Sequence, residues 1–432
     1  VGVRFPRLVD DKPPNKIWVT VSAIYLNPHD PTAPASTITL NKSSLYIDRG
    51  RQEVQVDLNA LPPRPEPYII NCTAALDKGD EVFTTASSEL YWLPPNPYGG
   101  STVYLDSSSD ELVVFDKNSK LRGTLVPTDY HYFFPIGYYT GWGDYLASNF
   151  SILKDIKNAG FTMVHPIPSE GPANSSWGDD PNSLQHFLAF MDACQEVGLW
   201  VMYDMRHTYS SPEDLAIHIK TFRSHPALLL WYTADEPDGH NDPTNATLLA
   251  YKTIQEIDGY HPISFTPNCQ NYFFTQYTSG ADIVVPDIYP VGNNPNFSIV
   301  YNTVCNRTYG CCGCDNCPGT LHDLGDRINE MREYTRWTGT HKVFWGVGQG
   351  FGSAEFWERT PTGEEVVEMS DSAVKAGAKG LLYWSAPTTD DIWKHTAELA
   401  RRLNPKDLRL RWKRREELWK DDKKDERMRT EL

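Results

Sequence analysis

From His131 onward the chain repeats one unit: a short, almost wholly apolar run, then an amphipathic stretch. A run without polar alternation is the mark of a strand buried on both faces, which is what a parallel sheet layered under helices produces. Eight candidate strands recur, YFFPIGYY, GFTMVHPI, LWVMYDMR, ALLLWYTADE, PISFTP, DIVVPDIYP, KVFWGVGQG and GLLYWS. Between them lie helical patterns, notably SILKDIKNAG, LQHFLAFMDACQEVG, PEDLAIHIKTFRSH, TLLAYKTIQEIDG, GDRINEMREYTRW and GEEVVEMSDSAVKAG, most closed by a Gly near the helix end. Count and spacing predict an α/β fold, a (β/α)8 TIM barrel over residues 129–403, with a Cys-rich insertion near 305–317.

Residues 1–128 have another texture. KIWVTVSAIYL, QEVQVDL, YIINCTAAL, SELYWL and ELVVFD alternate between apolar and polar residues and are parted by Pro, Gly, Asn and Asp, so an antiparallel β-sandwich is expected ahead of the barrel. The run LPPRPEP reads as an extended surface loop, because successive prolines remove donors and forbid helix. Residues 404–432 form a charged, locally basic tail, read as a solvated terminal helix with no assigned role.

The net charge of −16 argues against nucleic acid as a partner, since neutralising phosphates requires a basic face. No run of eighteen apolar residues occurs, so no membrane partner is expected. Thirteen Trp, 23 Tyr and 17 Phe supply ample buriable surface and hint at flat ligands such as sugars. Asn-x-Ser/Thr sequons begin at Asn41, Asn71, Asn149, Asn174, Asn245, Asn296 and Asn306, and predict a secreted, extracellular protein with N-linked glycans on surface Asn residues. Five of the eight Cys crowd into Cys305, Cys311, Cys312, Cys314 and Cys317. Disulfides are expected there rather than a zinc knuckle at Cys314-x-x-Cys317, because a sequon at Asn306 within the cluster implies an oxidising compartment. Cys72, Cys194 and Cys269 are the other candidates for pairing, which sequence leaves open. Oligomeric state is not legible.

A (β/α)8 barrel carries its site at the C-terminal ends of the strands. That rule selects Tyr138, Tyr139 and Trp142 after the first strand, His165 after the second, and Asp204, Arg206 and His207 after the third. Asp235 and Glu236 follow the fourth, Asn268 the fifth, Asp287 and Tyr289 the sixth, Gln349 the seventh and Trp384 the eighth; Trp345 and Trp231 are core or site wall. Many aromatics and several carboxylates, without a Gly-rich phosphate cradle, suit a carbohydrate better than a nucleotide. His165 and His207 lack a third ligand at a recognisable spacing, so neither a metal nor another cofactor is expected.

The segments FFPIGYYTGWGDYLASNFSILKDIKNAGFTMVHP and LLLWYTADEPDG resemble clan A glycoside hydrolases. In that clan the fourth strand ends in Asn-Glu-Pro, whose Glu is the general acid/base, and the matching triplet here is Asp235-Glu236-Pro237. Asp287-x-Tyr289-Pro290 and Tyr383-Trp384 are similar in place. The resemblance thus implies a glycosidase with Glu236 as proton donor, lined by Tyr138, Trp142, His165, Arg206, His207, Asn268, Tyr289, Trp345, Gln349 and Trp384. It departs at the seventh strand, where Gln349 stands at the position of the clan's nucleophilic Glu and cannot form a glycosyl ester. Glu355 lies six residues further on, in the loop, and Asp287 or Asp204 are the preferred carriers of the second catalytic role. The Asp235-Glu236 pair also resembles that of substrate-assisted hexosaminidases, where an Asp orients an N-acetyl group, with Tyr289 as its partner. A carbohydrate-binding pseudoenzyme is the reading from another class, carried by the missing Glu.

Overall fold

The computed structural model describes residues 16–25, 35–49, 52, 54–76, 82–106, 109–115, 130–168, 183–269, 271–305, 312–314 and 316–405. The chain forms two compact units, residues 1–97 with 338–340, and residues 98–337 with 341–432.

In the first unit, β1 (Lys16–Tyr25), β2 (Ser36–Tyr46), β3 (Tyr68–Ala75) and β4 (Val82–Leu90) form an antiparallel sheet in the order β2-β1-β3-β4. Alternation in β1 buries Val19, Val21 and Ala23 between more exposed neighbours. Leu58 and Leu61, from the proline-rich connection, pack against this face. Tyr68 Oη donates to the Pro62 carbonyl at 2.6 Å and Trp92 Nε1 to that of Leu61 at 3.0 Å, strapping the connection down. Of QEVQVDL, expected as a strand, residues 54–57 instead take no regular structure and lead into a short 3-10 turn at Leu58–Ala60. The described residues of this unit supply one sheet layer; a second layer of the expected sandwich is not among them.

The second unit opens with β5 (Thr102–Leu105), β6 (Leu112–Phe115) and β7 (Tyr130–Tyr132), a small antiparallel sheet. Its Val103, Leu112 and Val114 pack with Met163, Trp200 and Val343 from the starts of barrel strands, and so close the mouth of the barrel opposite the candidate site.

The barrel strands are β8 (Ile136–Gly141), β9 (Met163–Ile167), β10 (Trp200–Asp204), β11 (Leu228–Asp235), β12 (Ile263–Thr266), β13 (Ile283–Val284), then β16 (Val343–Phe344) with β17 (Gly346–Gln349), and β18 (Leu381–Ala386). All run parallel in the order β16-β13-β12-β11-β10-β9-β8-β18-β17. The two edges are one chain segment parted only by Trp345, and alternate residues of it bond to opposite neighbours. Val343, Trp345 and Val347 donate to Asp282, Val284 and Pro286 at 3.1, 3.0 and 3.0 Å, while Gly346 donates to Gly380 at 3.0 Å on the other side. The sheet therefore closes on itself as a (β/α)8 barrel.

Helices follow the strands in turn: α1 (Ile152–Ala159), α2 (Ser183–Val197), α3 (Pro212–Phe222), α4 (Ala246–Ile257), α5 (Phe274–Thr278), α6 (Asp323–Thr338), α7 (Gly363–Lys375) and α8 (Asp390–Leu403). Their starts are written locally. Ser211 caps α3 ahead of Pro212, Thr362 and Glu365 form a capping box on α7, and Thr389 caps α8, each cap contributing about 1 kcal/mol.

The insertion after the sixth barrel strand carries the hairpin β14 (Phe297–Ser298) and β15 (Thr303–Val304) and the disulfides Cys305–Cys312 and Cys314–Cys317. The Cys-x-x-Cys pair is thus bonded to itself, while Cys72 and Cys194 are free thiols. Cys311, the sequons at Asn174 and Asn306, and the tail from residue 406 lie outside the described residues. Among the described residues no helix is long and apolar enough to cross a membrane.

Candidate active site

At the C-terminal ends of the strands Tyr139, Asp235, Glu236, Asp287, Tyr289, Phe351, Ala354, Glu355, Trp357 and Trp384 line a cavity of about 360 Å³. Its aromatic walls and clustered carboxylates suit a polar ligand with flat faces. Consecutive strand residues point to opposite faces, yet Asp235 and Glu236 both reach this cavity. Glu236 achieves it by leaving β11 in the left-handed conformation, φ +48°, its N–H donating to the Thr266 carbonyl at 2.8 Å. Such a conformation costs a non-glycine residue roughly 1–3 kcal/mol and is characteristic of functional positions.

Asp235 is held on both sides. Arg206 Nη1 reaches one carboxylate oxygen at 2.5 Å and the Tyr232 hydroxyl donates to the other. Arg206 Nε also donates to Asp204 at 2.9 Å, and the Asp204 oxygen that accepts it meets His165 Nε2 at 2.7 Å. Burial alone would raise Asp204, but Arg206 and His165 outweigh it and hold this carboxyl below the usual range. Burial in turn lowers His165 despite its acidic partner. Asp204, His165 and Arg206 are therefore committed to one another beneath the cavity, and Arg206 stacks between Tyr139, Tyr232 and Trp384 at 5.5–5.8 Å from their ring centroids.

Glu236 and Asp287 are in hydrogen-bond contact, and Asn268 donates to Glu236 as well. Burial first and the Asp235 charge second push the Glu236 carboxyl up, against these two bonds, which favour its charged form. Burial, then Glu236 and Asp235, push Asp287 well above the carboxylate range. Together the two hold a proton at pH values where isolated carboxyls have lost theirs. Asp238 steadies the arrangement by accepting from the Asn268 N–H at 2.8 Å; burial raises its own carboxyl to about 6.

Gln349 ends β17 fully buried and off the cavity wall. Its Oε1 accepts from the Val291 N–H at 2.9 Å, and its Nε2 donates to the Val291 and Phe351 carbonyls at 2.9 and 3.2 Å. The amide is a fastener between two rim loops, with both its N–H donors and its oxygen engaged. Glu355, given less weight in sequence, lies on the cavity wall beside Trp357.

The other expected residues divide. Trp384 and Tyr289 line the cavity and Asn268 touches Glu236. Tyr138, one residue from the cavity-lining Tyr139, faces the helices, hydrogen-bonded to Thr396 at 2.8 Å and packed on Phe161 and Trp393. Trp142 packs on Phe187 and Phe190 of α2. Trp345 is fully buried in the barrel interior, Trp231 faces the helix shell with its Nε1 donating to Asp258, and His207 lies exposed off the cavity wall. Of the sequon side chains, Asn149, Asn245 and Asn296 are exposed, whereas Asn41 donates to the Gln55 carbonyl at 2.7 Å. Among the described residues no group of three His, Cys, Asp or Glu side chains is arranged to hold a metal ion.

No family model and no curated protein matches the chain. Solved structures similar to it include a glycosyl hydrolase family 2 member from Bacteroides cellulosilyticus DSM 14838, at 11 % identity and a TM-score of 0.39 over 86 % of this chain and 41 % of that one. A β-mannanase from the blue mussel Mytilus edulis is similar at 11 % identity and a TM-score of 0.44, over 71 % and 97 %. A β-galactosidase from the psychrophilic Marinomonas ef1 is similar at 10 % identity and a TM-score of 0.45, over 62 % and 59 %. The chain spans about two fifths of the length of the first of these.

Proposed function

We propose that the protein is a secreted glycoside hydrolase that cleaves O-glycosidic bonds of an oligosaccharide or polysaccharide, with Glu236 as general acid. One observation carries this. Glu236 is a carboxyl turned by a left-handed residue into an aromatic-walled cavity and pushed towards its acid form by burial and by Asp235. Breaking a glycosidic bond requires a proton on the departing oxygen, and a carboxyl held towards its acid form is suited to deliver one. Asn268 and Asp287 orient it, while Tyr289 and Trp384 offer faces for a sugar ring. Pure binding gains nothing from a poised proton, which weighs against a carbohydrate-binding pseudoenzyme. Substrate assistance needs Asp235 free to orient an acetamido group, whereas both its oxygens are engaged by Arg206 and Tyr232. The sequons and the disulfide-bonded insertion support the secreted, glycosylated part of the proposal.

The test is hydrolysis of a panel of polysaccharides and aryl glycosides by the parent and by Glu236→Gln. Turnover by the parent with a loss of about 10²–10⁴-fold in the variant is expected on natural leaving groups. Equal turnover by the two would remove the acid assignment, and an inactive parent on every glycan would leave only binding.

A further inference from the structure

Four carboxyl groups line the cavity, and three are spoken for. Asp235 is engaged by Arg206 and Tyr232, Asp287 is in hydrogen-bond contact with Glu236, and Glu236 is the proposed acid. Two carboxyls that touch cannot hold an anomeric carbon between them, since glycosidase pairs stand ~5–5.5 Å apart when one is a nucleophile and ~6.5–9.5 Å when one activates water. The fourth, Glu355, is exposed to the cavity and makes no hydrogen bond or ion pair with the described residues.

We propose that Glu355 supplies the second catalytic carboxylate, taking the role that Gln349 cannot perform. This rests on the glycosidase proposal and deepens it. Ala354 and Trp357 exchange both backbone hydrogen bonds, at 3.1 and 2.9 Å, so Glu355 and Phe356 are the two tip residues of a tight turn. Glu355 takes φ +47° there, the left-handed conformation such tips demand.

That turn is fixed, although it lies on a loop. Trp357 Nε1 donates to the Tyr289 carbonyl at 2.7 Å, and the Glu358 N–H to that of Gly292 at 2.9 Å. Gly313, within the disulfide-bearing insertion, sits so close to the turn that a Cβ on it would meet Phe356 Cβ at 2.9 Å and Trp357 Cζ2 at 3.1 Å. The Cys-rich insertion therefore backs the element that carries Glu355, which gives a loop-borne carboxylate the fixed position a catalytic group needs.

Two routes use these groups and balance. Glu355 attacks the anomeric carbon as the glycosidic C–O bond breaks and Glu236 gives its proton to the leaving oxygen; water, deprotonated by Glu236, then displaces Glu355. Alternatively Glu355 takes a proton from a water that attacks in a single step, with Glu236 again protonating the leaving oxygen. The first retains and the second inverts anomeric configuration.

The experiment uses the full chain and the aryl glycoside that the parent hydrolyses fastest, with Glu355→Gln, Glu355→Ala, Glu236→Gln and, on the same turn, Glu358→Gln. The Glu355 variants are expected to lose ~10²–10⁴-fold in kcat with unaltered melting temperature, and Glu358→Gln to match the parent. Sodium azide should restore turnover to Glu355→Ala on a substrate with a good leaving group, giving a glycosyl azide of configuration opposite to the substrate. Glu355→Gln within twofold of an active parent, with Glu236→Gln disabled, overturns this assignment and leaves the acid in place. A parent inactive on every glycan overturns both.

Discussion

Arg206 Nη1 lies 2.5 Å from Asp235 Oδ2, with 7 % and 23 % of the two side chains exposed. The same guanidinium pairs with Asp204, which is fully withdrawn from solvent. Taking Arg206 away leaves a buried carboxylate without its main partner, which costs far more than a surface pair would. Arg206→Leu is expected to lose about 3–5 kcal/mol of unfolding free energy at pH 7 in urea titrations. Asp204 has a depressed value, so the stability it contributes is present above the unfolded carboxylate range and is lost as pH falls through the folded value. The deficit of the variant should shrink in strong acid.

Asp287 and Glu236 have the opposite sign. Both values are raised, so their contribution to stability is complete below the unfolded range and is lost as pH rises through the folded values. Asp287→Asn removes one buried acid and leaves an amide able to donate to Glu236. Its melting temperature should exceed that of the parent at pH 8 and approach it at pH 3. In Asp287→Ala, which removes the bond altogether, the alkaline limb of kcat should move to higher pH, because that bond favours the charged form of Glu236. A limb that stays in place or moves down would show that Asp287 does not tune the acid.

The eight strands could be read because each is an apolar run of barrel length, but which residues face inward could not. Where both faces of a strand are buried, hydropathy does not distinguish them. Tyr138 and Tyr139 are equally aromatic neighbours, and one faces Thr396 on α8 while the other lines the cavity. Trp142 went the same way, into the helix shell. The helix α5, five residues long, offers too few turns for a period to emerge, and β2 carries too many Ser, Thr and Asn residues for a clear alternation. Asp235 and Glu236 were legible as a strand end followed by Pro. The place of Glu355 depends on how a loop doubles back at Ala354 and Trp357, a backbone pairing with no signature in residue type.

Placing a carboxylate at the end of the seventh strand should not create a nucleophile. In Gln349→Glu the new carboxylate would meet the Val291 and Phe351 carbonyls where the amide donated to both. The variant is expected to be less stable by about 1–3 kcal/mol at pH 7, the cost of leaving buried groups unsatisfied, with no gain in kcat. The deficit should narrow in acid, where the introduced carboxyl, once protonated, can donate to one carbonyl. A rise in activity would mean that the side chain at this position reaches the substrate.

At the opposite end of the barrel Ser101 Oγ stands 3.1 Å from His261 Nε2, and His261 Nδ1 stands 2.8 Å from Asp258 Oδ2. The order of groups matches a serine nucleophile with its base and orienting acid. Burial decides against that chemistry, since the three residues are 0 %, 2 % and 4 % exposed and no substrate carbonyl can approach the hydroxyl. The serine also donates to the Leu228 carbonyl at 2.6 Å, and Trp231 Nε1 donates to Asp258 at 2.7 Å. The relay thus ties the segment before β5 to the start of β11. A fluorophosphonate probe should leave Ser101 unlabelled by intact mass, while Ser101→Ala lowers unfolding free energy by about 1 kcal/mol or more through the lost buried bonds. Stoichiometric labelling of Ser101 in the folded protein would reverse the assignment and reveal a path to this end of the barrel.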